Sequence, residues 1–184
     1  MGALTPRAPV VCTARSAGLH TGAPRTRPAA ARVNPDFADF LAALTGTGAR
    51  FLVVGAHALA VHGVPRATGD IDIWIDRSPD NTARVWKALA DFGAPTSSID
   101  IAPDDLATPN KVIQIGVPPR RIDVLTDVSG LEFGDAWMTR VVHRIGELDV
   151  PFIGLAALIR NKRASGRLKD LGDLEALGAD PTGS

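Results

Sequence analysis

The segment GDIDIWID, residues 69–76, constrains the fold more than any other stretch of this chain. Its isoleucines alternate with acids and a tryptophan, which is the two-residue period of a β-strand. Side chains two apart point to the same face, so Asp70 and Asp72 lie side by side while the isoleucines face a core. Two neighbouring carboxylates need compensation, and Mg²⁺ is commonly held in that way. A metal site and a solvated strand face both remain open here.

Length and charge limit the classes of protein that need to be considered. A chain of 184 residues favours one domain. It contains one cysteine, Cys12, and no apolar run of membrane-spanning length, so we expect no membrane span and a reducing, cytoplasmic compartment. Five of the 20 basic residues and none of the 20 acidic ones precede residue 34. The rest is therefore acidic overall, and any anionic partner must be held by a local basic cluster or through metal.

Residues 1–33 are rich in Ala, Pro, Gly, Thr and Arg, with few large apolar side chains. Such a segment cannot bury enough surface to offset the entropy of ordering, so we predict a disordered tail. Arginines without acids are typical of transit peptides, but we favour a tail that has no function. The folded domain is then predicted over residues 34–184.

Apolar periodicity and capping residues predict the elements of that domain. Asn34 is a suitable N-cap and Pro35 suits the first position of a helix. The pattern predicts a helix from Pro35 to about residue 46, a strand at 50–54, a short helix at 56–62, a strand at 69–76, a helix at 78–92, mostly loop over 94–110, a hairpin of strands at 111–117 and 120–126, a short helix at 131–137, one or two strands within 139–152, and helix over 155–177 with a break at 165–166.

A glycine lies between the first strand and the short helix. Gly55 lets the backbone approach a ligand closely, and free amides at a helix start favour phosphate. Because the strand with Asp70 and Asp72 follows directly, the arrangement suits a metal–triphosphate ligand. The alternative is an ordinary turn glycine.

A third acid follows in the segment Arg121-Ile122-Asp123-Val124-Leu125. If this strand neighbours the first, Asp123 completes a three-carboxylate cluster that can hold two metal ions and can accept a proton from an attacking hydroxyl. The alternative is an acid paired with Arg120 or Arg121. Both interpretations remain open.

The segment 160–169 carries five basic residues in ten. It is either a site for phosphate or RNA backbone or a solvated helix face. His57 and His62 have no convincing zinc-ligand spacing to a partner, and we interpret them as packing or capping residues.

These segments together resemble a known family. Gly55-Ala56, the RATGDID segment at 66–72 and Asp123 resemble the nucleotidyltransferase superfamily of the polymerase-β type. The segment LIRNKRASGRLKDL at 158–171 resembles the C-terminal helices of the branch that contains AbiEii-like and MenT-like toxin nucleotidyltransferases. The resemblance implies an α/β fold with a small, mixed, twisted sheet flanked by helices and a helical C-terminal part.

The resemblance also implies a reaction, the transfer of a nucleoside monophosphate from NTP to an acceptor hydroxyl. It implies one or two Mg²⁺ ions on Asp70, Asp72 and Asp123, the last of which also activates the acceptor. The NTP-binding residues that it implies are Gly55, Ala56, Arg66, Lys162 and Lys169. The branch suggests tRNA or another RNA as acceptor and a cognate antitoxin as partner.

Two departures from the family pattern keep other functions open. The family often has serine where this chain has Ala56 and Gly69, so two side-chain hydrogen bonds are missing. The alternatives are an antibiotic-type transferase with a small-molecule acceptor and a catalytically degenerate module that binds nucleotide, RNA or a partner protein.

Overall fold

The computed structural model describes residues 34–96 and 101–181. The tail predicted for residues 1–33 lies outside this part of the chain. The described residues belong to one compact unit. None of their helices is long and apolar enough to cross a membrane.

The described part of this unit contains six α-helices, six strands and one 3₁₀ turn. In chain order they are α1 (Pro35–Gly46), β1 (Phe51–Val54), α2 (Gly55–Val61), β2 (Asp70–Ile75), α3 (Pro79–Phe92), a 3₁₀ turn (Pro103–Leu106), β3 (Val112–Ile115), β4 (Arg121–Leu125), α4 (Phe133–Met138), β5 (Val141–Ile145), β6 (Leu148–Phe152), α5 (Leu155–Ser165) and α6 (Leu168–Ala176). These elements confirm the predicted order, including the β3–β4 hairpin and the break between the last two helices. The region predicted to hold one or two strands contains two, β5 and β6, which pair as a second hairpin.

The strands form one six-stranded mixed sheet in the order β3-β4-β2-β1-β6-β5. Strand β2 pairs antiparallel with β1 and parallel with β4, while β6 pairs parallel with β1. The two hairpins, β3–β4 and β5–β6, therefore occupy opposite ends of the sheet. This confirms the predicted α/β class, a mixed sheet flanked by helices.

Helix α1 begins as its sequence predicts. The Asn34 side chain accepts a hydrogen bond from the amide of Asp36 at 3.0 Å, and Pro35 follows the cap. The apolar face of α1 is fully buried, and the helix packs against α3. Helix α3 ends at Gly93, whose φ of 76° closes the helix in the left-handed conformation.

The alternation along β2 places apolar and acidic side chains on opposite faces of the sheet. Ile71, Ile73 and Ile75 are buried in the core. Trp74 shares the face of the acids and is covered by Phe133 of α4, with ring centroids 5.1 Å apart. The acid-bearing face is thus covered near the end of β2 and is accessible near its start.

Candidate active site

The three predicted acids meet on one face of the sheet. In the parallel β2–β4 pair, Asp72 lies directly opposite Asp123, and Asp70 lies opposite Arg121. Partners in a ladder share a face, and so do residues two apart on one strand. All four side chains therefore project from the same side of two neighbouring strands.

Arg121 lies between two of these acids. One terminal nitrogen, Nη2, lies 2.5 Å from Asp70 Oδ2 and 3.0 Å from Asp123 Oδ2. Its Nε lies 2.9 Å from Asp123 Oδ1 but without the angle of a hydrogen bond. With the guanidinium in this place, no three His, Cys, Asp or Glu side chains of the described residues are arranged to enclose a metal ion.

Neighbouring side chains fix the orientation of the outer two acids. The Thr68 hydroxyl donates a hydrogen bond to Asp70 Oδ1. Gln114 lies opposite Asp123 on β3, and its side chain favours the charged form of that carboxylate. The Asp70 and Asp123 carboxylates are therefore held in place by groups on three separate segments, which is the support a metal-binding or catalytic acid requires.

Asp72 differs from the other two acids because the described residues offer it no hydrogen bond or ion pair. Burial raises the pKa of Asp72 to about 6, and the adjacent charges of Asp70 and Asp123 add to this effect. Lys169 and Arg121 oppose it at longer range. Burial also raises the pKa of Asp123, although its hydrogen bond from Arg121 favours the charged form. The cluster thus carries more negative charge than its surroundings compensate.

Gly55 contacts this cluster through its backbone. Its φ of 62° belongs to the left-handed region, and a Cβ built on it overlaps the Asp72 carboxylate. A glycine is therefore required both by the turn from β1 into α2 and by the close approach of Asp72. Ala56, the next residue, is 4% exposed and also lines the site.

The acids, the glycine turn and the C-terminal helices surround one cleft of about 520 Å³. That volume suits a nucleotide-sized ligand. The residues that line it include every predicted site residue: Gly55, Ala56, Arg66, Asp70, Asp72, Asp123, Lys162 and Lys169. The structure therefore brings together residues from β1, α2, β2, β4, α5 and α6.

Lys162 is the predicted site residue whose surroundings differ most from expectation. Its side chain is 5% exposed, and its Nζ lies 3.0 Å from Asp170 Oδ1 and 2.6 Å from Asp173 Oδ2. Although burial alone raises the pKa of Asp170, hydrogen bonds from Arg167 and Lys162 lower it to about 2. Lys162 thus borders the cleft but is already neutralised by two acids of α6.

The remaining predicted cations differ in their availability. Arg66 lies 3.5 Å from Asp173, so it belongs to the same ionic network as Lys162. Lys169 is exposed, makes no ion pair within 4 Å in the described part of the chain, and exerts its charge on Asp72. Lys169 is therefore the cleft cation that is most available to an anionic ligand.

The sequence leaves two interpretations of Asp123 open, a metal ligand and an acid paired with Arg120 or Arg121, and the structure contains the ion pair with Arg121. Arg120, the other candidate for it, faces Asp36 at 3.8 Å instead. The two-residue spacing of Arg121 and Asp123 indicated that they share a face. What it could not indicate was that the same guanidinium also reaches Asp70 on the neighbouring strand.

The histidines of α2 agree with a packing or capping role. The His57 ring packs edge-on against Phe37 with centroids 5.8 Å apart, and burial lowers its pKa. His62 Nε2 lies 2.8 Å from the carbonyl oxygen of Ile153. Neither ring belongs to the lining of the cleft.

Comparison with solved structures finds the same fold in a bacterial protein. The chain is similar to the crystal structure of a Thermotoga maritima protein, TM1012, which is provisionally assigned as a nucleotidyltransferase. The match has a TM-score of 0.52 at 15% identity and covers 76% of this chain and 88% of that chain. Protein-family models and curated protein sequences give no match. The likeness establishes a nucleotidyltransferase-like fold and does not extend to the toxin branch.

Proposed function

We propose that this protein is a Mg²⁺-dependent nucleotidyltransferase. The observation that carries the proposal is the convergence of Asp70, Asp72 and Asp123 on one face of β2 and β4, within a cleft that the Gly55 turn and Lys169 also line. Carboxylates supply the oxygen ligands of Mg²⁺, and backbone amides with a free lysine suit phosphates. The fold shared with the Thermotoga protein agrees with this assignment.

In this proposal an acceptor hydroxyl attacks the α-phosphorus of an NTP. The bond to the bridging oxygen of the β-phosphate breaks, so a nucleoside monophosphate joins the acceptor and pyrophosphate leaves. Asp123 accepts the hydroxyl proton, for which its raised pKa is suited. Bound Mg²⁺ supplies neutralisation of the charge on the attacking and leaving oxygens. The rest of the catalytic effect comes from the positioning of the reactants by the cleft.

The carboxylates of Asp70, Asp72 and Asp123 are oxygen ligands, which a hard divalent cation prefers. Asp72 lacks a donor in the described part of the chain, and its raised pKa reports uncompensated charge beside Asp70 and Asp123. A cation bound to Asp72 would supply the missing partner and would compensate the negative charge of the cluster. All three acids are its proposed ligands once the Arg121 guanidinium moves aside.

The triphosphate is assigned to the Gly55 turn and Lys169. The amides of Gly55 and Ala56 begin α2 beside the acids, and Lys169 provides an exposed point charge. Lys162 and Arg66 act mainly through α6, because both contact Asp173. We therefore assign Lys162 to holding α6, and with it Lys169, against the cleft.

For the acceptor, our first candidate is RNA, with tRNA and a toxin–antitoxin setting as the specific hypothesis. It draws support from Arg167 and Lys169, two basic residues that line the cleft of an otherwise acidic domain. A small hydroxyl compound, as in antibiotic-modifying transferases, is the second candidate. The same chemistry serves both acceptors.

One observation favours a different function, that of a nucleotide-binding module without turnover. Ala56 and Gly69 offer no hydroxyl to a phosphate, and Gly69 lies against Pro119, where a Cβ is 3.2 Å from the Pro119 Cα. A serine at residue 69 is therefore sterically tight. Binding of Mg-NTP without transfer is the result that this alternative requires.

A transfer assay separates these functions. Purified protein is incubated with Mg²⁺, each α-labelled NTP, and either total RNA or a panel of aminoglycosides. Label on RNA supports the RNA-modifying enzyme, label on an aminoglycoside supports the small-molecule enzyme, and Mg-NTP binding without transfer supports the binding module. The variant carrying Asp70→Asn and Asp72→Asn should be inactive, whereas Asp91→Asn, an exposed acid paired with Lys87, should match the wild type. Unchanged transfer by the folded double variant refutes the metal assignment.

A further inference from the structure

Arg121 is the one cleft residue whose position opposes the proposed reaction. Its guanidinium bridges Asp70 and Asp123 at 2.5 and 3.0 Å through a single nitrogen. A divalent ion shared by those carboxylates needs the same oxygen atoms. Arg121 and the metal therefore exclude one another as the side chains now stand.

The guanidinium is not locked into this place by burial. The Arg121 side chain is 28% exposed and the Asp70 side chain 30%. Arg121 Nε and Asp123 Oδ1 are both buried but are not aligned for a hydrogen bond, so the second half of the fork is imperfectly satisfied. An arginine bound bidentately at both nitrogens would be harder to displace.

Arg121 nevertheless reduces repulsion in the protein without metal. Three carboxylates face each other, and Lys169 acts on them only at longer range. Removing the guanidinium leaves these negative charges without a nearby partner in the described part of the chain. The Arg121 guanidinium thus occupies the place where the proposed reaction requires Mg²⁺.

We infer that Arg121 is a resident counter-ion that competes with the catalytic metal for Asp70 and Asp123. This inference rests on the proposed function, since it takes these acids as metal ligands. Metal entry breaks the two contacts of the guanidinium. A triphosphate in the same cleft gives the released guanidinium new partners, so metal and nucleotide bind cooperatively.

Metal binding alone tests the competition. Mn²⁺ replaces Mg²⁺ as the probe, and free Mn²⁺ is measured by electron paramagnetic resonance during titration of wild type, Arg121→Gln and Arg120→Gln. Arg121→Gln keeps a polar side chain and removes the charge, and we expect about tenfold tighter Mn²⁺ binding, at the low end for charged hydrogen bonds because the pair is partly exposed. Arg120 points to Asp36 instead, so Arg120→Gln should bind as the wild type does.

Thermal unfolding provides a second readout. In EDTA, Arg121→Gln should melt below the wild type because the acids repel one another. Saturating Mn²⁺ should remove most of that difference, whereas an arginine with a purely structural role leaves the same deficit with and without metal. Addition of a non-hydrolysable NTP should tighten Mn²⁺ binding more in the wild type than in Arg121→Gln.

Equal Mn²⁺ affinity in wild type and folded Arg121→Gln overturns the inference. If Arg121→Gln does not fold, Arg121→Lys takes its place: the lysine Nζ lies one bond nearer the backbone than Arg Nη2 and so holds the two acids less tightly, and this variant should also bind Mn²⁺ more tightly than the wild type. Transfer activity of the wild type is measured in parallel. If the wild type transfers nucleotide but wild type and variants bind Mn²⁺ with equal affinity, only the counter-ion role of Arg121 is refuted. If neither the wild type nor any variant binds Mn²⁺, the proposed metal site is refuted together with the counter-ion role.

Discussion

Replacing Lys162 by methionine tests whether the basic C-terminal segment acts as a structural support or as a phosphate ligand. The change keeps an unbranched apolar side chain and removes the charge that joins α5 to α6. Asp170 and Asp173 then remain as buried acids, with side chains 2% and 8% exposed. The free energy of unfolding should fall, because a buried charge without its partner is strongly unfavourable.

The expected loss is about 3 kcal/mol. Breaking a buried pair typically destabilises a protein by about 3–5 kcal/mol. The lower end applies because Arg167 still contacts Asp170 at 2.7 Å and Arg66 lies 3.5 Å from Asp173. The lowered pKa of Asp170 gives a smaller figure of the same order: moving it from 3.8 to about 2 corresponds to about 2.5 kcal/mol at about 1.4 kcal/mol per pH unit, and Arg167 and Lys162 share this amount.

The loss should depend on pH with a definite sign. In the wild type the lowered pKa of Asp170 contributes stability above pH 3.8, and this contribution disappears as the pH falls toward 2. In Lys162→Met the buried Asp170 keeps only Arg167 as a charged partner, so the pKa of Asp170 rises. The penalty for its buried charge is complete at pH 7 and is smaller at pH 4, where more of Asp170 is protonated.

Urea unfolding at pH 7 and pH 4 measures this change, with Lys169→Met as the matched control. Lys169 is exposed and has no ion pair in the described residues, so its replacement should alter the free energy of unfolding by no more than about 0.5 kcal/mol. Lys169→Met should nevertheless weaken Mg-NTP binding. The reasoning is wrong if Lys162→Met costs less than about 1 kcal/mol, or if its effect is the same at both pH values.

Three further predictions concern the sheet and its acids. Because burial and like charges raise the pKa of Asp72 from 3.8 to about 6, its charge destabilises the metal-free protein at pH 7 and much less at pH 4; at about 1.4 kcal/mol per pH unit, Asp72→Asn should therefore add up to about 3 kcal/mol in urea unfolding at pH 7, less than about 1 kcal/mol at pH 4, and should abolish transfer. Gly55→Ala should lower thermal stability by more than Gly48→Ala, since both have positive φ (62° and 67°) but only the first Cβ overlaps a carboxylate; equal losses contradict the overlap. Asn81→Ala should cost about 2–3 kcal/mol in urea, because its 2% exposed side chain makes three hydrogen bonds to the backbone at the ends of β1 and β2.

Local patterns were sufficient to predict the elements and the identity of the acids. Alternation in residues 69–76 specified a strand and which side chains share its face. The pairing of β2 with β4 was not predictable in the same way. Asp72 and Asp123 become neighbours only because a parallel ladder joins segments far apart in sequence, and no local rule fixes that register.

The basic segment is a second feature whose role the local sequence could not predict. Residues 160–169 carry charges that are typical either of a solvated face or of a phosphate site. In the structure these basic side chains have different surroundings. Lys162 lies on the inner side of α5 and reaches Asp170 and Asp173 across the break at Gly166, while Lys169 remains exposed. That division depends on how two helices pack, which composition and periodicity do not encode.

Charge balance connects the two networks and explains why metal and nucleotide should enter the cleft together. Between α5 and α6, Lys162 is matched by acids that are almost fully buried, so this network has no capacity for a ligand. Among the described residues of the cleft, the Arg121 guanidinium contacts Asp70 and Asp123, whereas Asp72 has no ion pair and Lys169 acts on it from a distance. A bare triphosphate is repelled by the acids, and a bare divalent ion must displace Arg121. A metal–nucleotide complex would give the acids, Arg121 and Lys169 partners at once, so it is the ligand that we propose for this cleft.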